Sequence, residues 1–341
     1  MGRVEAINRG MAGAAPLAAV DVPSLEGEVS EEEWRIRVDL AAAYRLVAHY
    51  GWDDLIFTHL SARIPGPEHH FLLNPYNLMF EEVTASSLVK VDTDGHPVGP
   101  TPFITNPAGF TIHSAIHMAR EDAQAVIHLH TPHGQAVSAH GDGLMPLTQT
   151  AMLIRDEVAY HDYEGVAVDL GERERIVADL GEKCAMLLRN HGTLAVGETV
   201  GEAFIRIYFL ERACQAQILA LSAGEGNLNN PPQGAPEVTA QQGKMGLKMA
   251  ARALAWPALL RKAQRLDPSV GITVAQSHGP VIGDGALLPE RCGALPVPVA
   301  SQAIDTGPYQ KMRSDLPCRA EEFIDITLTV ADMDASLRII Q

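Results

Sequence analysis

Ala125-Val126-Ile127-His128-Leu129-His130-Thr131-Pro132-His133-Gly134 is a short apolar run that delivers two histidines two positions apart, then breaks at a proline and a glycine. In an extended strand, residues i and i+2 point to the same face. Such a strand sets His128 and His130 side by side at its end, where one metal ion can take both. An H-x-H is common, and the competing reading is a pair of hydrogen-bonded core or loop histidines.

Working outward, a second buried run, Cys184-Ala185-Met186-Leu187-Leu188-Arg189-Asn190, ends at His191-Gly192, the same kind of strand end. Three neutral imidazoles at one point make a site with an open position for water or substrate. Its cation acts as a Lewis acid on a carbonyl. Spacing does not show that the two strands are adjacent. His113 and His117 form an i, i+4 pair on one helical face, a second spacing that suits a metal. Their stripe is otherwise apolar, which favours a helix–sheet contact or outer hydrogen bonds to ligands. His133, after Pro132, reads as a pocket or surface residue, and His69-His70 as a solvated turn.

The rest of the chain alternates helices with strands and hairpins. Ser30-Glu31-Glu32-Glu33 is an N-cap serine with a capping-box Glu, opening a helix to about Tyr50 that Gly51 stops. Ile56 to Ile64 and Phe71 to Leu73 read as strands, Leu88 to Val98 as a hairpin, and Ala108 to Arg120 as a helix. Gly134 to Ala139 makes one or two helical turns. Asp156 to Asp162 and Gly165 to Val168 read as short extended pieces, and Leu170 to Leu180 as an amphipathic helix. Thr193 to Val196 returns from the second histidine-bearing strand, and Glu198 to Ala223 is a long helix. Gly224 to Val238 is a loop, followed by helix over Gln241 to Arg265 that Trp256-Pro257 kinks or divides. Phe323 to Val330 has the period of a strand.

At 341 residues the chain has room for one large α/β domain with an extension, or for two domains. Its net charge of −16 argues against non-specific binding to nucleic acid or to anionic membranes. No apolar run reaches the roughly 18 residues of a membrane span. Met1 to Glu26 reads as a flexible arm and not as a signal peptide. Cys184, Cys214, Cys292 and Cys318 form no CxxC, which fits a reduced cytoplasmic protein with buried thiols. No G-x-G-x-x-G or P-loop is present.

The chain resembles the class II aldolase/adducin family, of which L-fuculose-phosphate aldolase is the familiar enzyme. The resemblance rests on His128-Leu129-His130-Thr131-Pro132, Tyr160-His161-Asp162-Tyr163-Glu164-Gly165 and Arg189-Asn190-His191-Gly192-Thr193-Leu194 followed by the long helix. Leu73-Asn74-Pro75, Glu82-Val83-Thr84-Ala85-Ser86, Val91-Asp92 and Asn106 to Ala119 look like its adducin-type branch. It implies a three-layer α/β/α fold around a largely antiparallel sheet, and a homotetramer with sites between subunits. It also implies a divalent metal, typically zinc with Fe(II) or Mn as alternatives, on ligands that fall at His128, His130 and His191.

The resemblance divides the chain into an arm (1–29), the family domain (30–225), a loop with C-terminal helices (226–269) and an extension of unassigned role (270–341). It also shows departures. The aldolases' catalytic Glu is replaced by Gly109. Thr58-His59-Leu60-Ser61 stands where a Gly-Asn-x-Ser phosphate loop belongs, and Asn74-Pro75-Tyr76-Asn77 replaces the second phosphate loop. The tyrosine expected after the H-x-H strand is missing near Gln149-Thr150.

The expectation is therefore an aldehyde-lyase of a small carbonyl compound that is not a sugar phosphate, with a metal-bound hydroxide, His113 or Tyr163 moving the proton. The rival expectations are a non-haem iron oxygenase or decarboxylase of a 2-oxo acid, and an adducin-like interaction module.

Overall fold

The computed structural model describes residues 22–105, 107–165 and 171–268. Residues 1–21, most of the Gly165 to Val168 piece, Cys292, Cys318, the extension from 270 and the Phe323 to Val330 strand lie outside the described residues.

Seven strands form one sheet in the order β3-β2-β1-β4-β7-β6-β5. They are β1 (His59–Arg63), β2 (Phe71–Leu73), β3 (Val89–Val91), β4 (Ala125–Leu129), β5 (Val158–His161), β6 (Ala185–Leu188) and β7 (Gly192–Gly197). The sheet is mixed, which qualifies the largely antiparallel expectation. β5 runs parallel to β6, while the other neighbouring pairs are antiparallel. The parallel pair follows from the connection: β5 and β6 are joined through helix α5 (Glu172–Leu180), and parallel strands need such a crossover.

Helices cover both faces, because alternate strand residues point opposite ways. On one face, Leu60, Ala62, Ala125, Ile127, Leu129, Ala185, Leu187 and Ala195 meet α1 (Glu31–His49) and α6 (Val200–Leu221). On the other, Val126, Met186, Leu188, Leu194 and Val196 meet Ile112 and Ile116 of α2 (Pro107–Ala119), and Ile176 and Leu180 of α5. His128 alternates with Ile127 and Leu129 and so belongs to the α2 side. A third small cluster, Phe71, Leu73, Val89, Val91 and Phe103, closes the β3 edge.

Local chemistry sets the helix ends. The Ser30 hydroxyl accepts the Glu33 N–H at 3.1 Å, and Gly51 stops α1 at φ +66°. The Glu33 side chain departs from the capping-box expectation. It is buried and pairs with Arg37 and Lys90, because a buried carboxylate gains more from two cations than from one backbone N–H. The first described residues are packed: Leu25 and Val29 lie against the main core, and the Leu25 N–H donates to Ser86.

Two short helices follow the H-x-H strand. One is α3 (Pro132–Ser138), capped by Thr131, and the other is α4 (Gln149–Ile154), capped by Thr148. Six residues show too little periodicity for α4 to stand out in the sequence.

The C-terminal helices begin at Ala235, three residues before the expected loop ends. Between α7 (Ala235–Met249) and α8 (Trp256–Leu266) lies a wide π turn, Ala250–Ala255. The expected break at Trp256-Pro257 takes this form because the wide turn relieves the clash between the proline ring and the carbonyl four residues back. Arg252 and Lys248 hold this segment to Glu198 and Glu202 at the start of α6.

Candidate metal centre

β4 carries His128 on its last turn of pleat and His130 just beyond its end. β7 is its antiparallel neighbour, with His128 opposite Leu194 and Leu129 opposite Thr193. The reversal from β6 into β7 therefore falls beside the end of β4. Asn190 makes that reversal in the left-handed region at φ +57°, which asparagine tolerates better than most residues. Gly192 is required two positions on, since a Cβ there would stand 2.3 Å from the Leu129 carbonyl oxygen. This close approach swings His191 over the two strand histidines. The adjacency that spacing left open is thereby supplied.

The three rings stand with centroids 4.7 Å (His128–His130), 4.7 Å (His128–His191) and 4.8 Å (His130–His191) apart. One nitrogen from each lies within 4.8 Å of the others. The outer nitrogens of the strand pair are committed. His128 Nδ1 donates to the Thr193 carbonyl at 2.9 Å, and His130 Nδ1 bonds Asp54 Oδ2 at 3.0 Å. The two Nε2 atoms face each other at 2.9 Å, and with both rings neutral each presents a lone pair. Two lone pairs that close repel unless a positive species sits between them. Burial, then the charges of His191, His130 and His59, holds His128 well below the ordinary histidine pKa, so its Nε2 keeps a lone pair for a cation. Burial, then His130 and His161, likewise push His191 down to about 4. Neutral imidazoles with fixed outer nitrogens are the donor set that zinc and its neighbours take, with bonds of about 2.0–2.1 Å.

Sequence reasoning missed the supports of this cluster. Asp54 lies 76 positions from His130, in a loop where Leu55 adopts a left-handed φ of +53° and Leu55 and Phe57 are exposed. Glu211 of α6 is buried and accepts hydrogen bonds from the Thr131 and Thr193 hydroxyls, the latter at 2.5 Å. It ties the residue after His130 to the residue whose carbonyl holds His128. Burial pushes its carboxyl up to about 7, against the two hydroxyl bonds that act the other way. Its signal was present in the sequence as a glutamate within the buried stripe Ile207, Leu210, Glu211, Cys214.

The other expected residues fall around the triad. Tyr163 is exposed, its ring 6.2 Å from His191. His113 is buried one ring away from the ligand shell. It packs on His59 at 4.1 Å, and His59 lies 5.5 Å from His128. His113 and His117 both bond Ser61, so the helical pair serves the helix–sheet contact and adds no ligand to the triad. Gly109 lies within α2. His133 is half-buried on α3. Among the described residues one further group, Asp92, Asp94 and His96, has metal-like spacing, but it forms a largely exposed turn.

Residues 38–218 match the family described as Class II Aldolase and Adducin N-terminal domain. A Caulobacter vibrioides protein carrying the class 2 aldolase name is 59% identical over 250 residues, 73% of this chain and 97% of that protein. The crystal structure of an aldolase II superfamily protein from Pseudomonas syringae is 50% identical with a TM-score of 0.68, covering 73% of this chain and 99% of that one. L-fuculose 1-phosphate aldolase from Glaciozyma antarctica PI12 is 31% identical with a TM-score of 0.61, covering 75% of this chain and 96% of its own. The fold, the histidine cluster and these likenesses agree, and the chain belongs to the class II aldolase and adducin family.

Proposed function

We propose that this chain is a metal-dependent aldehyde-lyase acting on a small carbonyl compound other than a sugar phosphate, with His128, His130 and His191 holding a divalent cation, zinc before Fe(II) or Mn. The observation that carries the reading is the 2.9 Å approach of two Nε2 atoms whose partner nitrogens are already bonded. When bound, such a cation supplies Lewis acidity to a carbonyl and a neighbouring oxygen. The chain supplies the rest. Asp54 and the Thr193 carbonyl orient the ligand rings. Tyr163, exposed beside His191, exchanges a proton with the departing or arriving aldehyde oxygen. His113, on the buried side, serves the carbon next to the carbonyl in place of the aldolases' Glu. A phosphate dianion needs several convergent N–H or hydroxyl donors, and His59 occupies the place of the aldolases' phosphate-loop asparagine.

The test begins with elemental analysis of the purified full chain and of His128→Ala and His130→Ala. The expected result is about one metal per chain, lost in both variants. Aldol addition and cleavage are then screened with aldehydes, hydroxyacetone and 2-oxo acids. Variants that keep both metal content and turnover refute the reading.

A second reading, an adducin-like interaction module, draws on Gly109 and on the adducin half of the family. It expects bound metal without turnover on any carbonyl probe, together with concentration-dependent self-association. The proposed homotetramer is checked in the same sedimentation run. No described helix is long and apolar enough to cross a membrane.

A further inference from the structure

Between α2 and the sheet lies a row of buried polar groups that holds no metal ligand. Ser61 on β1 is placed so that its hydroxyl reaches two rings of α2, one turn apart. Ser61 Oγ stands 2.7 Å from His113 Nδ1 and 2.7 Å from His117 Nε2. His117 Nδ1 lies 2.6 Å from the Ala123 carbonyl oxygen. All three side chains are at most 1% exposed.

The donors and acceptors along this row admit one direction. A carbonyl oxygen only accepts, so His117 Nδ1 carries hydrogen. Burial pushes His117 down to about 3, opposed by the Ala123 bond and aided by Arg63, so the ring is neutral and its Nε2 is a bare acceptor. The Ser61 hydroxyl must donate there. Its oxygen then has only lone pairs left for His113, whose Nδ1 must donate in turn. His113 is also neutral, held well below the ordinary value by burial, then by His59, His117 and His128. Its lone pair is therefore on Nε2, a buried atom with no hydrogen-bond partner among the described residues.

We propose that Ser61 and His117 are positioning residues, anchored on the Ala123 carbonyl, that lock His113 in its Nδ1–H tautomer and leave Nε2 as a bare proton acceptor on the metal-centre side of the sheet. This rests on the assignment of His113 as the proton-moving group above. Packing alone asks only that the three groups be hydrogen-bonded, and either direction of the chain satisfies that. The carbonyl anchor selects the direction that leaves the base on Nε2, in a ring packed 4.1 Å from His59, which in turn lies 5.5 Å from the ligand His128. Ser61 thus has a definite task in a stretch, Thr58-His59-Leu60-Ser61, that has no phosphate-binding pattern.

The test is long-range 1H–15N correlation on the full chain labelled with 15N-histidine, the His113 signals being identified by their absence in His113→Gln. Wild type is expected to show a protonated Nδ1 and a bare Nε2 at His113. In His117→Phe the Ser61 hydroxyl loses its acceptor and turns to His113, so the tautomer inverts. In Ser61→Ala the two tautomers mix, and Ser61→Thr restores the wild-type pattern. Deuterium exchange at the carbon next to the carbonyl of hydroxyacetone is followed in parallel, with an expected loss of at least tenfold in Ser61→Ala at unchanged metal content and KM. A protonated Nε2 in wild type, or an unaltered His113 pattern in both His117→Phe and Ser61→Ala, overturns the proposal. The expected tautomers without exchange in wild type support the locking and refute the lyase reading instead.

Discussion

Replacing Glu211 with glutamine tests the polar tie beneath the histidine cluster. The carboxyl is buried and has an ordinary value of 4.5 raised to about 7, with burial the largest cause. In the native state it therefore holds its proton about 2.5 units longer than in the unfolded chain. At 1.36 kcal/mol per unit this is about 3 kcal/mol. The sign follows from proton binding. Below about pH 4.5 both states are protonated and the group adds no pH dependence. Between about 4.5 and 7 the native state binds more protons, so stability falls as pH rises. Above about 7 the full loss has accrued.

Glu211→Gln keeps the shape and can still serve the Thr131 and Thr193 hydroxyls, but it has no charge to bury. Urea unfolding of chelator-treated wild type and variant is compared at pH 5 and pH 8. The variant should gain on wild type by about 2.5 kcal/mol between the two, which in a parallel thermal melt is roughly 5–10 °C for a domain of this size. Parallel pH curves for the two proteins would refute the buried-charge argument.

Three further outcomes follow from the site's geometry. Asp54→Asn weakens the hold on His130 Nδ1, and metal affinity measured by chelator competition should fall about 10–100-fold with the fold retained. Gly192→Ala puts a Cβ 2.3 Å from a backbone oxygen, so thermal unfolding should show a loss of several kcal/mol, or no folded protein in circular dichroism. Leu55→Gly releases a left-handed φ at an exposed position, and denaturant unfolding should show a gain of up to about 1 kcal/mol.

The sequence made the helix–strand alternation and the His128/His130 pair legible because both are periodic. The run of α6 and the strand character of residues 125–129 needed only local spacing. What it hid was set by contacts between distant positions. His130 meets Asp54 across 76 positions, and Thr131 meets Glu211 across 80. No periodicity spans such distances. His191 was visible as a strand-end histidine, but its place beside β4 depends on the β4–β7 register and on Gly192. The same limit applies to His113 and His117. Their helical face was evident, whereas the shared Ser61 partner on β1 required the sheet to be assembled.

The antiparallel pairing of β4 with β7 bears on how the protein folds. His128 is held by a carbonyl 65 positions later in the chain, so no local segment contains the cluster. Only a chain that has already closed that long loop offers all three nitrogens at once. A cation captured there binds the native state more tightly than the unfolded chain, which offers at most the local His128/His130 pair. At a free concentration a thousand times its Kd it would add at most about 4 kcal/mol to the folding equilibrium. The histidines can thus be retained by selection for assembly as well as for chemistry, and chelator-dependent melting separates the two pressures.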